Sequence, residues 1–94
     1  MSEVEREGEG SRRRYVVREG GEEAELTLSV LGPRQVIAEH TFVPEPLRGR
    51  GIANRLLDAL LEDARAQRFT IVPRCTFVAA QARRHPEWDT LFAR

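Results

Sequence analysis

The chain has 94 residues and a mass of 10.7 kDa, enough for one small domain with a single core. Its 15 basic and 15 acidic side chains cancel to a formal net charge of zero, which argues against a dedicated nucleic-acid binder with a strongly basic face. All 15 basic side chains are arginine, so Schiff-base and P-loop lysine chemistry are both excluded.

Cys75 is the single cysteine, so no intramolecular disulfide can form, which suits a reducing compartment. No apolar run approaches the roughly 18–20 residues of a membrane span, and no signal peptide is visible. We therefore expect a cytoplasmic protein without a membrane partner. No His, Cys and Asp cluster has metal-ligand spacing, so no metal site is predicted.

The first 13 residues are polar, rich in Glu and Arg, and interrupted by Gly8 and Gly10. Such a segment buries little apolar surface, so we expect a mobile N-terminal tail over residues 1–13. Residues 14–94 are then expected to form one domain.

The first half of this domain is typical of antiparallel strands. A β-type run at residues 15–17 ends at a Gly-Gly turn, and apolar residues then alternate with polar ones over residues 24–30. A Gly-Pro turn separates this strand from residues 36–43, which predicts a hairpin. Strict alternation would place Glu39 and His40 on opposite faces of the sheet.

The second half is typical of a βαβ unit. Apolar residues recur at helical spacing over residues 51–67, and residues 69–72 form a short apolar run closed by Pro73. A second helix is predicted over residues 77–84, followed by an apolar cluster that docks the C-terminus: Trp88, Leu91 and Phe92. The fold class is therefore α/β (α+β), with antiparallel strands, a βαβ unit with parallel strands, and a C-terminal helix.

The turn at residues 48–53 carries the strongest chemical signal. Two glycines and two arginines follow a strand and open a helix, which is typical of an anion site built from backbone N–H groups and guanidinium groups. The turn lacks the Gly-Lys-Ser/Thr of a Walker A loop and the Gly-x-Gly-x-x-Gly of a dinucleotide fingerprint. The alternative is a flexible helix entry with solubilising arginines.

This turn, Arg-Gly-Arg-Gly-Ile-Ala, resembles the Arg/Gln-x-x-Gly-x-Gly/Ala motif of the GNAT N-acetyltransferase superfamily. Residues 40–44, 73–78 and 84–87 extend the resemblance to the minimal GNAT-like family (the YjdJ type), over about residues 15–92. Departures are Leu28, where that family commonly has an aromatic residue, Thr76, where it often has Pro or Ser, and Arg68, where it often has glycine.

The resemblance implies a compact GNAT-like fold in which the two parallel strands splay apart around the pantetheine arm of acetyl-CoA. It implies pantetheine binding by the backbone around Phe42 and Val43. It also implies that the pyrophosphate is held by the loop residues Arg48, Gly49, Arg50, Gly51, Ile52 and Ala53.

Acetyl transfer to an amine needs a base and a group that stabilises the departing thiolate. The candidate bases are His40 and Glu39, each of which could instead be an ordinary strand residue. Cys75 follows the second parallel strand, where it could be a nucleophile, a proton donor to the thiolate or a packing residue.

We therefore expect a small N-acetyltransferase that uses acetyl-CoA and acetylates an amine that the sequence does not identify, on a protein, a peptide or another molecule. The alternatives are a non-catalytic CoA-binding or protein-interaction module, and a nucleic-acid accessory domain that uses Arg12–Arg14, against which the zero net charge counts. Both a monomer and a homodimer stay open.

Overall fold

The computed structural model describes residues 3–93, so the outer ends of the predicted tail and domain, residues 1–2 and 94, lie outside the described residues. One five-stranded sheet has the order β1-β2-β3-β4-β5. Its strands and the two helices are β1 Glu5–Glu9, β2 Arg12–Glu19, β3 Glu22–Gly32, β4 Gln35–Phe42, α1 Ile52–Gln67, β5 Thr70–Pro73 and α2 Thr76–Arg84. The strands β1 to β4 are antiparallel and β5 is parallel to β4, which confirms the predicted fold class.

The helices cover one face of the sheet, here called the helix face. The apolar stripe of α1 is buried there, with Leu56 and Leu60 fully excluded from solvent. The alternate residues Ala24, Leu26 and Leu28 of β3 join the same core, as does Val78 of α2. None of the helices in the described part of the chain is long and apolar enough to cross a membrane.

The opposite face, here called the open face, carries the other set of strand residues. Thr27 and Ser29 lie on it because they alternate with the core residues of β3. Val16 of β2 also lies on this face and is fully buried. Arginine and glutamate side chains that contact one another surround it: Glu5, Glu7, Arg14, Arg18, Glu23 and Glu25.

The N-terminal segment differs from the expected tail, because residues 5–9 form β1 and pair with β2. Arg6 donates two hydrogen bonds to the carboxylate of Asp63 on α1, at 2.8 and 2.9 Å. The hydroxyl of Tyr15 donates to the same carboxylate at 2.8 Å. The segment therefore pairs with the sheet through backbone and charged contacts, which a composition argument based on apolar burial does not detect.

Strand β4 contains a β-bulge at Glu39. Thr27 pairs with His40 and Leu28 pairs with Ala38, so Glu39 is the extra residue. His40 therefore shares the open face with Thr27, and Glu39 also reaches this face because its Oε2 accepts a 2.7 Å hydrogen bond from Ser29 Oγ. The prediction that Glu39 and His40 point to opposite faces is wrong, because it assumed regular alternation.

The C-terminus is docked as predicted. The backbone N–H of Ala93 donates to the Ile71 carbonyl at 2.8 Å, and Phe92 forms a bridge with Ile71 beside β5. Trp88, Leu91 and Phe92 pack against the core. These contacts cover the edge of β5 that faces away from β4.

Tyr15 provides a direct test of the contact between sheet and helix. Burial and the hydrogen bond to Asp63 raise the pKa of Tyr15 well above its ordinary value of 10.0. Its contribution to stability is therefore complete below about pH 10 and is lost as the pH rises above that value. Because Tyr15 is the single tyrosine, tyrosinate absorbance reports this group alone. We expect a midpoint above 10 in the native protein and an ordinary one in denaturant, and equal midpoints would contradict the buried contact.

Arg68 ends α1 in the left-handed conformation, with φ of 60° and ψ of 49°. A side chain in this region costs about 1–2 kcal/mol, which glycine avoids at an entropic cost of about 0.5–1 kcal/mol. We expect Arg68→Gly to raise the free energy of unfolding by roughly 0.5–1 kcal/mol, measured by urea denaturation. The matched control Arg65→Gly, inside the helix, should lower it by about 1 kcal/mol. A destabilised Arg68→Gly would refute this interpretation.

Candidate functional site

The loop before α1 is held at both ends by buried side chains. Leu47, in a short 3-10 helix over Glu45–Leu47, is 3% exposed, and Ile52, the first residue of α1, is 2% exposed. Residues 48–51 between them are all exposed. The loop therefore has fixed ends and an accessible backbone, and Ile52 can contact a ligand only through its backbone.

Gly49 and Gly51 give this loop its shape. Their φ angles are 79° and 72°, in the left-handed region that favours glycine. A Cβ at either position would have no atom within 4 Å, so space lies open beside the backbone. No side chain caps the helix at Gly51, and no acidic residue lies in the first turn. The first N–H groups of α1 have no acceptor within the helix, so this end suits an anion.

Two arginines border the loop. Arg48 donates from Nε to the carbonyl of Val43 at 3.1 Å, which directs its guanidinium back towards the end of β4. Arg50 approaches Glu19 at 3.8 Å and keeps a 61% exposed side chain. Both guanidinium groups therefore remain accessible next to the positive end of the helix dipole. The residues present fit a bound pyrophosphate.

The pairing between β4 and β5 ends just before the bulge, where β5 itself ends. The two strands pair from Gln35 with Thr70 to Ala38 with Pro73, and the N–H of Cys75 then donates to the Ala38 carbonyl at 2.8 Å. In the described residues, no strand pairs with the remainder of β4, residues 39–42, on this side. This free edge of β4 leads to Phe42, which is 46% exposed, and then to the loop.

The candidate bases lie together on the open face at this edge. Glu39 is fixed by Ser29 and by Arg74, whose Nη1 lies 3.4 Å from Glu39 Oε1. His40 is exposed, and its carbonyl accepts a hydrogen bond from Thr27 Oγ1. The carboxylate is therefore oriented by two partners, whereas the imidazole faces solvent.

Cys75 lies on the helix face, across β4 from the candidate bases. It is 6% exposed, precedes the first residue of α2 and belongs to the core. Its Sγ lies 3.2 Å from Oγ1 of Thr41, which follows the bulge and points to the same side. The thiol is thus held against the edge of β4 but is shielded from solvent.

Two concavities border the sheet near the bulge and at the far end of α1. A groove of about 460 Å³ on the open face is lined by Arg12, Thr27, Ser29 and Glu39 among others. A cavity of about 270 Å³ lies around Tyr15, Asp63 and Phe69, at the end of α1 remote from the loop. The first is lined by the candidate base Glu39, whereas neither candidate base lines the second. Residues 3–93 contain no group of three or more side chains suited to holding a metal ion.

The mixed sheet with β5 parallel to β4, the two helices and the glycine-rich helix entry define an α+β domain with a GNAT-like fold. A family model described as GCN5-related N-acetyl-transferase matches residues 14–91, so the chain belongs to this family. The fold is similar to the NMR solution structure of a candidate GCN5-like N-acetyltransferase from Staphylococcus aureus. The two chains have a TM-score of 0.69 and 24% sequence identity, over 99% of this chain and 91% of that chain.

Sequence reasoning missed the partners of the candidate residues. Ser29 and Arg74 orient Glu39, and Thr41 contacts Cys75. Ser29 is on a different strand from Glu39, and Thr41 is 34 residues from Cys75 along the chain. No local spacing in the sequence connects the members of either pair. The alternation of Ser29 with the apolar residues of β3 was a signal that Ser29 lies on the open face, but not that it contacts Glu39.

The thiol of Cys75 offers a test of this geometry. Because Cys75 is the single cysteine and is buried, we expect a thiol-specific reagent to react at least about tenfold more slowly with the native protein than with the unfolded one. Thr41→Ala removes the neighbouring hydroxyl and should increase the native rate. Equal rates in native and unfolded protein would show that the thiol is accessible.

Proposed function

We propose that this protein binds acetyl-CoA and transfers the acetyl group to an amine. The observation that carries the proposal is the uncapped, glycine-shaped start of α1, with Arg48 and Arg50 beside it, next to the free edge of β4. Family membership supports the same reaction class. The single free cysteine supports a cytoplasmic location.

The loop would hold the pyrophosphate through backbone N–H groups of Gly49 to Ala53 and through the two guanidinium groups. The backbone of β4 around Phe42 and Val43 would pair with the pantetheine arm, because this strand edge has no partner there among the described residues. The acetyl end would then lie near the bulge, between the open face and Cys75.

Bound acetyl-CoA supplies a thioester; when the amine nitrogen bonds to its carbonyl carbon, the carbon–sulfur bond breaks and CoA leaves. The acceptor must lose a proton, and the carboxylate of Glu39 or the imidazole of His40 would accept it. The thiol of Cys75 or the hydroxyl of Thr41 would donate a hydrogen bond or a proton to the departing sulfur. Cys75 as a nucleophile that carries the acetyl group is the alternative route.

A non-catalytic CoA-binding or protein-interaction module is the second candidate, favoured by the open face. A turn at Gly20 and Gly21 joins β2 to β3 directly, and no helix of the described residues covers the open face. Tight binding of CoA without acetylation of any amine would favour this candidate over the enzyme.

The loop is tested by isothermal titration with acetyl-CoA and CoA. In Gly51→Ala a methyl group would enter the open space beside the backbone, and we expect at least about tenfold weaker binding, since a hydrogen bond to a charged group contributes about 1.5–3 kcal/mol. Gly21→Ala is the matched control: its φ of 79° causes similar strain, and its surroundings are equally open. Equal affinity in both variants, or no binding by the natural sequence, would refute the proposal.

The catalytic groups are separated by kinetics and mass spectrometry. Loss of the base should reduce kcat by about 10²–10⁴-fold. The base is therefore the residue whose variant, Glu39→Gln or His40→Gln, shows this loss. Incubation with acetyl-CoA should give a mass increase on Cys75, absent in Cys75→Ala, if the thiol carries the acetyl group. Full activity in Cys75→Ala would instead favour direct transfer.

A further inference from the structure

We propose that the groove on the open face is the acceptor site, and that the acceptor is a small molecule with a carboxylate close to its amine, such as an amino acid. This inference rests on the proposed acetyl transfer and names the class of substrate. It is carried by the residues that line the groove and by the distribution of charge among them.

The groove brings Arg12 and the candidate base Glu39 to one concavity. Arg12 of β2 pairs with Ser29 of β3, and Ser29 holds the carboxylate of Glu39 at 2.7 Å. In the register, Ser29 pairs with Ile37 of β4, and Glu39 reaches Ser29 from the bulge two residues further along. Arg12 and Glu39 therefore line the groove from opposite sides of β3, on strands that are two strand spacings, about 10 Å, apart.

The charges of the groove are unevenly compensated. Arg14 contacts the carboxylates of Glu7, Glu23 and Glu25 at 2.6–2.8 Å, and these contacts raise its pKa. Arg12 is exposed and has no ion pair within 4.0 Å in the described part of the chain, although Glu9 lies opposite it in the register. Arg12 is thus available to an anion on the open face, whereas Arg14 is engaged by the protein itself. Arg13 also lines the groove, but it pairs with the core residue Leu28 and its Nε donates to the Gly10 carbonyl at 3.1 Å.

Arg12 and Glu39 together select one kind of acceptor. A guanidinium binds a carboxylate through a fork of donors, and a carboxylate at Glu39 attracts an ammonium group and accepts its proton. A volume of about 460 Å³ suits a small molecule, since ligand sites of that class span about 300–1,000 Å³. Thr27 and Ser29 also line the groove; their hydroxyl groups donate to His40 and Glu39, so each oxygen can accept a hydrogen bond from the ammonium group. An amine without a carboxylate would leave Arg12 unused.

The test compares acetylation of leucine, glutamate and β-alanine with acetylation of the corresponding carboxamides. We expect the natural sequence to prefer each acid by at least about tenfold in kcat/KM, because hydrogen bonds to charged groups are the strong ones. Arg12→Gln should bring this ratio close to one, chiefly through a higher KM for the acid. Arg65→Gln removes the same charge from an exposed position on α1 and should keep the preference.

Acetyl-CoA binding, measured by titration on the same samples, separates the two proposals. No acetyl-CoA binding would refute the proposed function itself. If acetyl-CoA binds, three results would overturn the acceptor proposal alone. They are carboxamides acetylated as well as the acids, no acetylation of any amino acid, and an unchanged acid-to-carboxamide ratio of kcat/KM in Arg12→Gln. Sedimentation that shows a dimer dissociated by Arg12→Gln would assign the groove to a second copy of the chain and would also overturn it.

Discussion

The extra residue in β4 determines the direction of the side chains that follow it. Because Glu39 has no counterpart in β3, His40 pairs with Thr27 on the open face and Thr41 turns to the helix face, where it contacts Cys75. The same position marks the end of pairing between β4 and β5. One local irregularity thus places two candidate bases on one side of a free strand edge and a thiol on the other.

The rest of the candidate site depends on rigid elements around that edge. Burial of Leu47 and Ile52 fixes both ends of the loop, so the exposed backbone between them has a defined position next to Val43. The apolar stripe of α1 holds the helix against the sheet, and its N-terminus is thereby directed to the end of β4. An anion bound at the loop would lie in line with a ligand along the free edge.

Charge has a different role on each side of the sheet. On the helix face, Arg6 and Tyr15 converge on Asp63 and attach β1 and β2 to α1. On the open face, arginine and glutamate side chains compensate one another around Val16 and lower the pKa values of Glu7 and Glu23. Arg12 and the loop arginines Arg48 and Arg50, by contrast, keep exposed side chains beside the groove and the start of α1.

The amino-acid sequence by itself determined the order of the elements from β2 onwards, the fold class and the loop that opens α1, because periodicity, turn residues and glycine spacing are local properties of the chain. It did not predict β1, which pairs with β2 and whose Arg6 contacts Asp63, far along the chain. Nor did it predict the bulge at Glu39, since a bulge is defined by the register between two strands. Only the tertiary structure decided that Glu39 and His40 share a face, that Cys75 lies across the strand from them, and that Ser29 and Arg74 orient the carboxylate. These relations join residues that are distant in sequence, and packing rather than local preference brings them together.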